Sequence, residues 1–102
     1  MKKLAPVHPG EVLLEDFLEP MGISQYALAK SISVPARRIN EIVHGKRGIT
    51  ADTDLRLCKF FGLSDGYWLR MQGSFDSAVA KDSLGATLEK IPTRVRTEAQ
   101  GA

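Results

Sequence analysis

The sequence predicts an all-α fold, a five-helix domain followed by a C-terminal extension. Apolar residues recur at helical spacing in five separate segments, capping residues or helix breakers lie between the segments, and no segment alternates apolar and polar residues as a strand would. A chain of 102 residues fits one domain with a modest core. We expect residues 1–72 to form the domain and residues 73–102 to form the extension, with a frayed end.

The first predicted helix begins near Pro9, because proline is favoured in the first turn of a helix. Its buried face is predicted from residues at i, i+1, i+4 and i+5, namely Leu13, Leu14, Phe17 and Leu18. Pro20 and Gly22 then break the pattern. The same helix carries four acidic residues, Glu11, Glu15, Asp16 and Glu19.

The second and third predicted helices are joined by a tight turn. Ser24 is a good N-cap for the second helix, whose apolar stripe is Leu28, Ala29 and Ile32. Because Ala29 is small, another helix can cross close to it. Val34 precedes a proline and therefore avoids helical geometry, while Pro35 is preshaped to start a new helix. The arrangement is typical of a helix-turn-helix, whose second helix reads DNA.

The third predicted helix has one aliphatic face, formed by Ile39, Ile42 and Val43. Its other faces carry residues that can meet DNA: Ala36, Arg37, Arg38, Asn40, Glu41 and His44. Arg37 can make a bidentate contact to guanine, whereas Asn40 and Gln25 are better suited to positioning on the backbone. Glu41 either accepts from cytosine or repels wrong sites. His44 either contacts phosphate or interacts with the C-terminal end of the helix dipole.

Positive charge is concentrated locally rather than over the whole chain. The net charge is only +2, which is too small to indicate a nucleic-acid binder by itself. Between residues 37 and 47, Glu41 is the single acid among four cations, Arg37, Arg38, Lys46 and Arg47. Lys46 and Arg47 lie in a loop bounded by glycines, where we expect cations to meet phosphate.

The fourth predicted helix follows Thr50, a capping residue, and has Asp52 and Asp54 near its positive end. Gly62 ends it in the usual glycine manner. Its predicted buried residues are Ala51, Leu55, Leu57, Cys58, Phe60 and Phe61.

The fifth predicted helix is capped by Ser64 and starts at about Asp65. Its apolar residues are Tyr67, Trp68, Met71, Phe75, Ala78 and Val79. Gly73 allows a kink within this helix, and the pattern is undecided beyond Gly85.

Five helices with the turn between the second and third resemble the repressor-like helix-turn-helix domains of phage repressors and their bacterial relatives, over residues 9–70. A narrower set of motifs comprises residues 8–11 (HPGE), 37–42 (RRINEI), 44–53 (HGKRGITADT) and 67–72 (YWLRMQ). Together these motifs resemble antitoxins of the HigA family, also called VapI-like. The resemblance implies a DNA-binding antitoxin that represses its own operon and neutralises a RelE-like toxin, HigB, which cleaves mRNA on ribosomes.

The resemblance also implies positions that touch DNA: Gln25 and His44 for phosphate, with Ala36, Arg37 and Glu41 for bases. Charge and helix face add four further residues: Arg38, Asn40, Lys46 and Arg47. Ser33 departs from the wider helix-turn-helix pattern, in which glycine is common because a left-handed backbone costs it little.

A homodimer is expected, because one short recognition helix covers only a few base pairs. Two copies would read two half-sites of the operator about one turn of duplex, roughly 34 Å, apart. The predicted dimer interface lies in the extension and comprises Phe75, Ala78, Val79 and Leu84. The alternative is that this segment packs back on its own domain.

The predicted toxin-binding face is the acidic side of the first helix, with Glu11, Glu15, Asp16 and Glu19. A toxin that binds RNA is expected to be basic, so an acidic face complements it. The alternative is a solvated face with carboxylates near the start of a helix.

Enzymatic, metal-dependent and membrane functions are not predicted. His8, His44 and Cys58 lack metal-ligand spacing, and residues 45–48 lack the longer phosphate-cradling pattern, so we expect no cofactor. A single cysteine, no secretory signal and no membrane-length apolar run favour a reducing, cytoplasmic location. Two non-enzymatic alternatives stay open, a plain transcriptional regulator without a toxin partner and a protein-interaction scaffold.

Overall fold

The computed structural model describes residues 5–96, and in this range it contains five helices and no strand. The predicted all-α, five-helix architecture is confirmed. The predicted fraying of the last few residues lies outside the described range, which ends at residue 96. None of the helices within it combines the length and apolar character that crossing a bilayer requires.

The first helix, α1, runs through residues 9–21 in three parts. Pro9–Val12 is α-helical, Leu13–Leu18 forms a wider π-helical turn, and Glu19–Met21 is α-helical again. Gly22 follows with a left-handed backbone (φ 65°) and ends the helix, as its sequence position predicts.

Four further helices follow: α2 at Gln25–Ser31, α3 at Ala36–Val43, α4 at Ala51–Phe61 and α5 at Tyr67–Glu89. Two predicted caps are confirmed, because the Ser24 hydroxyl accepts from the amide of Ala27 (3.0 Å) and the Thr50 hydroxyl from that of Thr53 (3.5 Å). Gly62 ends α4 with φ 69°.

The turn between α2 and α3 uses a left-handed serine. Ser33 has φ 59°, the conformation for which glycine is common at this position. The Val34 amide donates to the carbonyl of Ala29 (3.0 Å), and Pro35 then precedes α3 in an extended conformation. The predicted break is therefore present, with serine adopting the strained backbone.

The core lies between the five helices and includes Leu13, Leu28, Ile39, Leu57 and Trp68, all with no exposed surface. The predicted buried face of α4 is partly wrong. Ala51 is exposed, Leu55 is 50% exposed and Phe60 is 38% exposed. Leu57 and Cys58 are buried as predicted, and Thr53 and Asp54 complete the inner face. Apolar spacing misplaced this face because two of its buried positions are polar.

The start of α5 is set from another helix. The predicted Ser64 cap and start at about Asp65 are wrong, because the helix begins at Tyr67 and its N-cap position is Gly66. Its first amides donate to the buried Asp54 carboxylate of α4, with Gly66 N to Oδ2 at 2.8 Å and Trp68 N to Oδ1 at 2.8 Å. This carboxylate caps α5 from 12 or more residues away in sequence.

Helix α5 is longer than the sequence pattern suggested. It continues across Gly73 and Gly85 for 23 residues, and it crosses the predicted boundary between residues 72 and 73. The kink suggested by Gly73 does not interrupt the helix. From Val79 onward the described residues are exposed, so the end of this helix projects from the domain.

Candidate nucleic-acid interface

Helix α3 is anchored by one face and open on the other. Ile39 and Ile42 have no exposed surface, whereas Ala36, Arg37 and Asn40 are exposed. The aliphatic residues hold the helix on the core, as their spacing predicts. The polar side chains are accessible to a large partner.

The carboxylate of Glu41 joins two predicted DNA-binding arginines. Arg37 Nε donates to Glu41 Oε2 (3.0 Å), and Arg47 Nε donates to Glu41 Oε1 (2.9 Å). The hydrogen bond from Arg37, followed by that from Arg47, lowers the pKa of Glu41. The carboxylate is therefore ionised at neutral pH, and the two arginines share one counter-charge.

Arg38 faces a second ion cluster rather than open solvent. Its Nη1 lies 3.3 Å from Asp52 Oδ1, and the same oxygen accepts from Arg56 Nε at 2.8 Å. The hydrogen bond from Arg56 is the main cause that lowers the pKa of Asp52. Arg56 Nη1 also donates to the carbonyl of Ile32 (2.8 Å), so it ties α4 to the turn before α3. The sequence interpretation missed Arg56, which lies in a helical pattern as an ordinary surface residue.

Gln25, Asn40 and His44 form a chain of contacts along α2 and α3. Asn40 Nδ2 donates to Gln25 Oε1 (3.4 Å), which brings the two predicted backbone-positioning residues together. His44 Nδ1 lies 2.8 Å from the carbonyl oxygen of Asn40. The ring thus supplies a hydrogen-bond partner to a carbonyl in the last turn of α3. With Nδ1 donating to this carbonyl, the exposed ring can donate to an anion through Nε2 only as the doubly protonated imidazolium.

The loop that carries Lys46 and Arg47 is supported from α5. Gln72, which is 8% exposed, accepts from the Ile49 amide at 2.7 Å and donates to Asp76 Oδ1 at 3.0 Å. Both cations are exposed. The sequence interpretation did not assign this role to Gln72, although a polar residue four positions after Trp68 lies on the apolar side of the helix.

Gly10 allows α1 to lie directly against α3. A Cβ atom built on Gly10 would lie 1.8 Å from the carbonyl oxygen of Ile42. A side chain larger than hydrogen therefore cannot fit without movement of the backbone. His8 precedes this contact and accepts from the Gly10 amide (2.9 Å), and burial lowers the pKa of His8.

The predicted protein-binding residues are placed as follows. The four acidic residues of α1 are all exposed: Glu11, Glu15, Asp16 and Glu19. In the extension, Val79 is 45% and Leu84 is 43% exposed, whereas Phe75 and Ala78 are half-buried. The Phe75 ring packs edge-on against His8 with a centroid distance of 4.9 Å, so this residue contacts its own domain. Within residues 5–96, no group of three or more His, Cys, Asp or Glu side chains could hold a metal ion.

Comparison with known proteins first defines the class. The helix-turn-helix family matches residues 14–68, which is more than half of the chain and contains the whole of α2 and α3. The chain therefore belongs to the helix-turn-helix family.

Closer relatives define the group within that class. The chain is 51% identical over 79 residues to virulence-associated protein I of Dichelobacter nodosus, over 78% of this chain and 73% of the relative. It is 35% identical over 74 residues to antitoxin HigA-1 of Vibrio cholerae, over 72% and 70% of the two chains. The structure of Pseudomonas aeruginosa antitoxin HigA with the higBA promoter is similar with a TM-score of 0.84 at 36% identity, covering 88% of this chain and 99% of that one. The chain is a member of the HigA and VapI-like antitoxin family, as its motifs indicated.

Proposed function

We propose that the protein is an antitoxin that binds operator DNA as a homodimer, represses its own operon and neutralises a RelE-like toxin of the HigB type. The observation that carries this proposal is the two-sided character of α3. Its aliphatic residues Ile39 and Ile42 are fully buried while Arg37 and Asn40 are exposed. Such a helix can enter a major groove without disturbing the core.

The proposed DNA contacts divide into reading and positioning. Ala36, Arg37 and Glu41 face the base edges, and Arg37 forms a bidentate contact to guanine. The phosphate contacts come from the residues around them: Gln25, Arg38, Asn40, His44, Lys46 and Arg47. The similar antitoxin of Pseudomonas aeruginosa that was solved with promoter DNA supports DNA binding by this fold.

Arg37→Ala is expected to weaken binding to the preferred operator by about 1–3 kcal/mol and to relax selectivity at one base position. The reason is that Arg37 donates two hydrogen bonds to one base edge, rather than contributing only electrostatic attraction to the phosphates. The measurement is a fluorescence anisotropy titration of the operator and of single-base variants. Binding equal to that of the wild type would reject this role.

Lys46→Ala is the matched comparison, because it removes the same charge from the adjacent loop. It should weaken every duplex to a similar extent and reduce the slope of log affinity against log salt by about one unit. A loss confined to one sequence would contradict the phosphate assignment.

The proposed dimer uses the projecting part of α5. The apolar side chains of Val79, Leu84 and Leu88 are 41–45% exposed, and a second copy would cover them. Phe75 and Ala78 lie at the base of this surface, where Phe75 also packs on its own domain. The resulting pair of α3 helices would read two half-sites one turn of duplex apart.

The proposed toxin site is the exposed acidic face of α1. We expect the double variant Glu15→Lys, Asp16→Lys to weaken toxin binding at least tenfold at low salt, because it reverses two charges that face a basic partner. Isothermal titration with the product of the neighbouring gene measures this. Unchanged affinity at low salt would reject the face.

Co-expression with that neighbouring gene product tests the proposed function as a whole. The mass of the purified complex should equal two antitoxin chains with bound toxin. A preparation that contains the antitoxin alone would instead favour a plain regulator without a toxin partner.

A further inference from the structure

Both arginine bonds to Glu41 are made through Nε. Arg37 Nε donates to one carboxylate oxygen at 3.0 Å and Arg47 Nε donates to the other at 2.9 Å. A guanidinium has five N–H donors, and four of them lie on the two terminal nitrogens. A carboxylate that engages Nε therefore fixes the plane of the group while leaving the terminal donors for another acceptor.

Glu41 also holds the loop that carries Arg47. Its backbone carbonyl accepts from the Lys46 amide at 2.8 Å, and its side chain accepts from the next residue, Arg47. Arg37 is attached from the other side, one helical turn earlier on α3. One residue thus sets the position of a helix side chain and of a loop side chain.

We propose that Glu41 is a positioning residue that presets Arg37 for its contact with a base and Arg47 for its contact with phosphate. The inference rests on the proposed DNA-binding function and adds to it a residue that holds two DNA-contacting side chains in place. The carboxylate repels the polyanion, so it does not add general affinity. It reduces the number of conformations that the two long side chains must lose when they bind. Because Arg37 is held in one position and Arg47 fixes the register on the backbone, the sequence that matches Arg37 is favoured.

We expect the two hydrogen bonds to Glu41 to contribute more in the DNA complex than in the free protein. The Arg37 side chain is 85% exposed, and exposed ion pairs are worth little in water. The Glu41 side chain is 23% exposed and Arg47 is 48% exposed. When DNA excludes water from the surface, the same bonds become stronger, because the local dielectric falls. Loss of the carboxylate should therefore change DNA selectivity while leaving thermal stability nearly unchanged.

The test uses Glu41→Gln in the full-length protein. A preferred duplex is first selected with the wild-type protein from a pool of random duplexes, and affinities for this duplex and a scrambled one are then measured for both proteins. We expect the ratio of the two affinities to fall about tenfold or more, the size of effect expected when a bidentate contact is lost. Affinity for the scrambled duplex should stay equal or rise. Glu89→Gln, the same charge change at the end of α5, should leave the ratio unchanged.

Nuclear magnetic resonance adds a measurement that would not change if Glu41 only stabilised the fold. In the complex of the wild-type protein with the selected duplex, the Nε–H signals of Arg37 and Arg47 should exchange slowly with water. In the Glu41→Gln complex at least one of the two signals should exchange fast, because the amide keeps only one acceptor oxygen, while the backbone spectrum of the core is preserved.

Three results would overturn the proposal. Equal gains on both duplexes would mean that Glu41 only repels DNA, and equal losses with a lower melting temperature would mean that it only stabilises the fold. The third result is slow exchange of both Nε–H groups in the variant complex. If the wild-type protein selected no duplex from the pool, the proposed DNA-binding function itself would be rejected. The selection step therefore distinguishes failure of the proposed function from failure of the Glu41 proposal.

Discussion

Asp54→Ala is expected to lower the free energy of unfolding by about 3–5 kcal/mol, because it leaves several buried amides without an acceptor. The carboxylate is 1% exposed and accepts from the amides of Gly66 (2.8 Å), Trp68 (2.8 Å) and Leu69 (3.2 Å). These amides form the first turn of α5, where a negative charge is also favoured by the helix dipole. Urea denaturation followed by circular dichroism measures the change.

Asp65→Ala is the control for this prediction, because Asp65 is an exposed carboxylate in the same connection between α4 and α5. It should change stability by less than about 0.5 kcal/mol, as surface substitutions usually do. If Asp54→Ala were as mild as Asp65→Ala, the cap would be unimportant for the docking of α5.

Gly10→Ala is expected to cost about 3 kcal/mol of stability, at the upper end of the range for overpacked cores. The added methyl would meet two backbone atoms of α3, the carbonyl oxygen of Ile42 at 1.8 Å and its carbonyl carbon at 2.6 Å. Neither atom can turn away as a flexible side chain would, so α1 and α3 must separate. We therefore expect DNA affinity to fall as well, since α3 carries the proposed reading residues.

Gly73→Ala provides the matched control, because a Cβ built on Gly73 would meet nothing within 4 Å. In the interior of α5 this change should raise stability by about 0.5–1 kcal/mol through helix propensity. The melting temperatures of the two variants should therefore move in opposite directions. A Gly10→Ala variant that melts with the wild type would show that α1 and α3 do not depend on this contact.

Local rules predicted those features whose partners lie nearby in sequence. The Ser24 and Thr50 hydroxyls accept from amides three residues ahead, so the capping signal is contained in one turn. The left-handed backbone of Ser33 (φ 59°) was indicated only by comparison with the wider helix-turn-helix pattern, in which glycine is common at this position. The exposed and buried faces of α3 follow from helical spacing alone, because Ile39 and Ile42 are apolar and their neighbours are polar.

The features that the sequence did not predict depend on contacts between distant residues. Its position predicts that Asp54 stabilises the N-terminal end of its own helix, but its carboxylate oxygens accept from amides 12–15 residues later. Gln72 bonds to an amide 23 residues earlier. Gly10 has its role only because α3 passes above it. The spacing of Arg37 and Glu41 permits an ion pair, but the approach of Arg47 depends on the path of the following loop.

Methylation interference on the preferred duplex tests the central claim that α3 reads bases in the major groove. Methyl groups on guanine N7 lie in the major groove, and those on adenine N3 lie in the minor groove. We predict that guanine methylation at one position in each of two half-sites, about one turn apart, blocks the wild-type protein and no longer matters to Arg37→Ala. Interference from adenine N3 alone, or an unchanged guanine pattern with Arg37→Ala, would contradict the account.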